Sequence, residues 1–107
     1  MKLNGPWLET LVVEDGERVA RYRLRVTGLR GGQLRLRAYA DIATDATGTD
    51  LELPQDLVPP EVLCWRSDVG NLRERGDEVL VQADGESLFD VAFRGQYAIS
   101  VRVEVLH

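Results

Sequence analysis

The stretch that decides the fold is residues 18–40, RVARYRLRVTGLRGGQLRLRAYA. Two runs of strict polar–apolar alternation stand on either side of a glycine-containing break, the pattern of half-buried antiparallel strands. In the first run Tyr22, Leu24 and Val26 share one face, and Arg21, Arg23 and Arg25 share the other. In the second, Leu34, Leu36 and Ala38 lie opposite Arg35 and Arg37. A side-chain period of two makes this division unavoidable in extended backbone.

The break itself, Gly28, Leu29, Arg30, Gly31 and Gly32, reads as a hairpin loop with Thr27 opposite Gln33. That pairing sets Arg25 against Arg35, Arg23 against Arg37 and Arg21 against Tyr39. Like charges directly opposite one another are unfavourable, so the ladder needs an answer. The guanidiniums can lie in water with their alkyl stems covering the sheet. They can be paired with carboxylates from elsewhere in the chain. Or they can meet an anionic partner.

Working outward, the first forty residues read as a three-stranded meander. Residues 7–14, WLETLVVE, have strand character, and Asp15-Gly16 follows as a hairpin turn into the arginine run. The pattern then breaks over residues 41–60, DIATDATGTDLELPQDLVPP, an acidic and irregular segment punctuated by Gly48, Pro54, Pro59 and Pro60. Within it a short edge strand is expected at 50–53 and a helical turn at 55–58. Strand character returns at 61–66, with 72–75 ambiguous and Gly76-Asp77 a turn into 78–83, where Val79 and Val81 share a face. Asp84-Gly85 reads as a second Asp-Gly hairpin turn, leading to 86–93 with Phe89, Val91 and Phe93 on one face. Arg94-Gly95 turns the chain into 96–106, where Tyr97, Ile99, Val101, Val103 and Val105 point inward.

Seven to nine short strands with turn chemistry between them, and no helix-period run, predict an all-β fold: an antiparallel β-sandwich or small barrel. At 107 residues the chain is expected to be a single β domain, large enough to bury a core without metal or disulfide. Cys64 is the only cysteine, which excludes an internal disulfide and favours a reducing compartment. No apolar run is long enough for a signal peptide or a membrane span, and a cytoplasmic protein with no membrane partner is expected.

The net charge of −5 conceals a split: residues 1–40 carry eight basic and four acidic side chains, and residues 41–107 five and fourteen. Such asymmetry means either neutralisation inside the fold or a bipolar surface. Overall acidity argues against general binding of duplex nucleic acid.

Catalytic chemistry finds little to use. His107 is the sole histidine and stands at the last position, so a histidine-based triad or a histidine-rich metal centre has no candidate. Cys64, in EVLCWR, has no internal histidine to raise its thiolate fraction and is expected to be an inert core thiol. Asp41, Asp45, Asp50 and Glu52 offer oxygens near Gly48 but lack the ordered ligand alternation of a calcium loop. Gly28, Gly31 and Gly32 have neither the spacing nor the following helix of a phosphate-binding loop. Trp7, Tyr39 and Trp65 are the aromatic residues to consider as a stacking platform, against the alternative that one tryptophan is core.

The expectation is therefore a non-catalytic protein–protein interaction domain without cofactor, of the accessory, adaptor or immunity type, or a self-associating subunit. Its contact surface would be the arginine face (Arg21, Arg23, Arg25, Arg35, Arg37) or the acidic 41–60 segment. The alternative is a binder of an anionic small molecule or single-stranded nucleic acid through the same arginines with Tyr39.

Overall fold

The glycine break in the arginine stretch is a bend within one strand. A computed structural model describes residues 1–42, 59–68, 71–95 and 97–106. They form six strands, β1 (Lys2–Glu14), β2 (Glu17–Ile42), β3 (Glu61–Ser67), β4 (Arg73–Arg75), β5 (Glu78–Gly95) and β6 (Ile99–Leu106). All pairings are antiparallel and belong to one sheet, which is not closed. No helix occurs among the described residues.

The predicted hairpin at 28–32 is thus corrected. β2 continues through it and pairs with β5 along almost its whole length. Arg25 lies opposite Leu88 instead of Arg35, and Arg23 lies opposite Asp90 instead of Arg37. The Asp84-Gly85 hairpin is corrected in the same way, because β5 also runs straight on. The two misread turns meet: Leu29 pairs with Gly85, and β2 carries one extra residue on each side of that rung.

Gly28, Gly31 and Gly85 adopt φ of +73°, +59° and +77°, the left-handed conformation that turns and bulges both require and that side chains resist. Local turn chemistry was read correctly, but it serves a coordinated bend in two neighbouring strands. The reason is electrostatic as well as steric. The long-range pairing replaces arginine opposite arginine with Arg23 opposite Asp90 and Arg37 opposite Glu78.

Arg94 and Gly95, expected as a turn, are the last residues of β5, opposite Val19 and Arg18, and β6 begins at Ile99. The Asp15-Gly16 and Gly76-Asp77 turns stand. Asp15 and Gly16 both have positive φ (51° and 77°) and close the β1–β2 hairpin with Glu14 opposite Glu17. Gly76-Asp77 joins β4 to β5, with Arg75 opposite Glu78. Because β2 and β5 each absorb two predicted segments, six strands replace the expected seven to nine among the described residues. The strand expected at 50–53 and the helical turn at 55–58 lie outside the described residues, as do His107 and most of the acidic 41–60 segment.

Around the bent β2–β5 ribbon the flanks change partner. Before the bend β2 is bordered by β1, and after it by β6; β5 is bordered first by β4 and then by β3. The inward faces assigned from alternation hold. Leu24, Val26, Leu34 and Leu36 of β2 join Val79, Val81, Phe89 and Phe93 of β5 in one buried cluster. Each such side chain contributes roughly 1.5–3 kcal/mol of burial energy. Both sides of the bend feed the same cluster, so the bend is what lets one long ribbon enclose a core.

Candidate interaction surface

On the face opposite the core, the register sets the arginines beside carboxylates. Arg23 Nε donates to Asp90 Oδ1 at 2.9 Å, and its Nη1 lies 3.6 Å from Glu9. Arg25 Nε is 3.0 Å from Glu86 Oε1. Beyond the bend Arg35 reaches both oxygens of Glu78, the shorter contact 3.1 Å, and Arg37 Nε donates to Asp77 Oδ2 at 3.0 Å. These carboxylates raise the pKa of Arg23 and of Arg37 above the usual guanidinium value, hydrogen bonding first and charge second. Four of the five acidic partners that hold these four arginines come from residues 77–90. Self-neutralisation therefore explains much of the charge split between the two parts of the chain.

Tyr39 lies on the outer face beyond the bend, against two cations. Its ring centroid is 4.6 Å from the Arg102 guanidinium carbon and 5.5 Å from that of Arg37. Its hydroxyl donates to Glu104. That hydrogen bond, with desolvation and the Glu104 charge behind it, raises the phenol pKa above 10.0 against the opposing influence of Arg37.

Arg21 differs from its neighbours. It lies between Thr10 of β1 and Ala92 of β5, and its side chain has no ion pair or hydrogen bond among the described residues. The six residues singled out in the sequence thus fall into two groups, Arg21, Arg23 and Arg25 before the bend and Arg35, Arg37 and Tyr39 after it. They do not face one another as a ladder.

Two further expectations change. Cys64 pairs with Ala92 on the outer face, a half-buried free thiol instead of a core one. Trp7, Tyr39 and Trp65 do not converge: Trp65 is inside the core opposite Val91, Trp7 stands beside Arg23 on the outer face, and Tyr39 lies beyond the bend.

The feature that sequence reasoning missed is the exposure of the apolar side chains of β1. Trp7 (53% exposed), Leu8 (53%), Leu11 (44%), Val12 (49%) and Val13 (58%) are all open to solvent on an edge strand. The register divides them between both faces. Trp7 and Val12 stand on the outer, arginine face opposite Arg23 and Val19, and Leu8, Leu11 and Val13 on the inner face opposite Tyr22, Ala20 and Arg18.

On the inner side, Leu8, Leu11, Tyr22, Tyr97 and Ile99 line a groove of about 150 Å³. Tyr22 closes its floor edge-to-face against Phe93, ring centroids 6.2 Å apart. Partial burial raises the Tyr22 phenol pKa, with Arg18 pulling the other way. The signal was present in the letters WLETLVV, where apolar residues break alternation and so leave both faces of the strand apolar.

Not all of that edge is open to pairing. Bulges interrupt the register between Asn4 and Trp7 and between Leu8 and Thr10, and Pro6 has no N–H to offer. From Thr10 to Glu14 the register is unbroken. Comparison of the chain with protein-family models, with curated proteins and with solved structures gives no match.

Proposed function

We propose that this chain is a small β-sandwich domain that acts by binding another protein, without catalysis, and that the β1 side of the β1–β2 hairpin is its contact surface. One observation carries the reading. Five large apolar side chains within a seven-residue span of an edge strand are each more than two-fifths exposed. Concentrated exposure of that kind marks interaction surfaces, and an unpaired edge adds backbone groups ready for strand addition.

The ion pairs on the arginine face weigh against the anionic-ligand alternative. Arg23, Arg25, Arg35 and Arg37 each already hold a carboxylate, and a phosphate would have to displace it. The shared core on both sides of the bend supports the two-layer arrangement over a barrel.

The test is comparative affinity isolation from the source cells with wild type and Leu11→Glu. Retention of a defined protein by the wild type, lost with the variant, supports the reading. Identical retained sets, or salt-sensitive binding of nucleotides or single strands by both, would overturn it.

A further inference from the structure

We infer that the protein with which this surface pairs is a second copy of the chain, joined antiparallel through residues 10–14 of β1. The inference rests on the protein-binding reading above and adds to it the identity of the occupant.

The argument begins with two unanswered charges. Arg21 is the one arginine on the outer face before the bend without an ion pair among the described residues. Glu14, on the same face at the hairpin end, likewise has no ion pair and lies directly opposite another carboxylate, Glu17. On its outer face each free chain therefore carries one unmatched cation and one unmatched anion along a single unbroken stretch of register, Thr10 opposite Arg21 through Glu14 opposite Glu17.

A two-fold axis through Val12 makes these charges complementary. In antiparallel pairing, residues directly opposite share a face. With Val12 beside Val12 of the second copy, Thr10 falls opposite Glu14 of that copy, and Leu11 falls opposite its Val13. All of these matches keep outer with outer and inner with inner, since Thr10, Val12 and Glu14 are outer and Leu11 and Val13 inner.

Arg21 and Glu14 of the second copy then stand in one row, separated by Thr10 alone. The gap is two strand spacings, roughly 10 Å between backbones, which two long side chains close over a short threonine. The symmetry repeats the contact, as an isologous interface must. In the next row, Val19 and Val12 of one copy continue into Val12 and Val19 of the other as an apolar stripe. The bulges and Pro6 confine pairing to this segment and so select its register.

Sedimentation velocity on the intact chain tests this from about 5 to about 500 µM, a range that brackets the micromolar affinity expected of a small interface. Wild type is expected to move from monomer to dimer across that range. Arg21→Glu alone sets carboxylate against carboxylate at both contacts, and Glu14→Arg alone sets guanidinium against guanidinium, so each variant is expected to remain monomeric. An equimolar mixture of the two restores one opposite-charge pair at each contact and is expected to form a heterodimer. That rescue also shows that both variants are folded.

A wild type that stays monomeric throughout would overturn the inference. So would a dimer that either single variant leaves intact, or a mixture that fails to associate. None of these outcomes touches the broader protein-binding reading, which the affinity isolation decides on its own.

Discussion

The two halves of β2 obey the same alternation and end in different circumstances. Beyond the bend, Leu34, Leu36 and Ala38 are buried, Arg35 and Arg37 hold carboxylates, and the flanking β6 places Val103 in the core. Before the bend, Leu24 and Val26 are just as buried, yet the flanking β1 leaves five apolar side chains, Trp7 to Val13, in solvent, and Arg21 has no ion-pair partner among the described residues. One half closes on itself and the other does not. Alternation in a strand fixes which way its own side chains point. Whether the neighbouring strand is needed for the core or is free for other contacts depends on what that neighbour carries on both of its faces.

The sharpest way to break the comparison is by core truncation. Leu24→Ala and Leu36→Ala should each lose about 2–5 kcal/mol in urea melts, and Leu24→Arg should unfold the domain. Leu11→Ala should stay within about 0.5 kcal/mol, as surface changes do. A loss at Leu11 as large as that at Leu24 would make the hairpin part of the core and erase the difference between the halves.

The bend that separates them is the next target. Gly85→Ala forces a side chain to φ +77° and should cost about 1–2 kcal/mol from backbone strain alone, since a Cβ there meets nothing within 4 Å. Gly32→Ala, where φ is not positive and the space is equally open, should be neutral or stabilising by up to about 1 kcal/mol. Equal losses at the two glycines would mean that the bend does not depend on the left-handed positions.

Smaller effects sharpen the electrostatic side. The Arg23 and Arg37 ion pairs are half-exposed, so replacing both arginines with threonine should lower the melting temperature slightly in dilute buffer. The gap should close in molar salt. Smallest is the pH effect at Tyr39. Its raised phenol pKa means that the Glu104 hydrogen bond contributes fully below pH 10.0, the ordinary tyrosine value, and is lost as pH rises past it. Tyr39→Phe should therefore show a shallower alkaline loss of stability than wild type, read from melting curves stepped upward from pH 9.

Much of the fold was legible because it depends on neighbours in the chain. Alternation gave the inward faces of Leu24, Leu36, Val79 and Phe89, and Asp15-Gly16 gave the one tight hairpin before β2. The bend was not legible, since a glycine at positive φ serves a loop and a bulge equally. The decision lay with β5, whose Asp90 meets Arg23 from 67 positions away. The ion pairs that neutralise Arg23, Arg25, Arg35 and Arg37 were hidden for the same reason. The interaction surface was legible in principle, in the broken alternation of residues 7–13, but a strand assignment alone passes over what its second face implies.

The length of the β2–β5 ribbon also sets the order of assembly. The hairpin of β1 and β2 joins adjacent residues and can form as soon as it leaves the ribosome. Its β2 side must wait until residues 78–95 have been synthesised, because every rung of that ladder draws on the distant end of the chain. Such non-local closure is slow. During translation the nascent chain therefore carries a greasy ribbon bare along both borders, and the interval before β5 arrives is when this protein most needs protection from its neighbours.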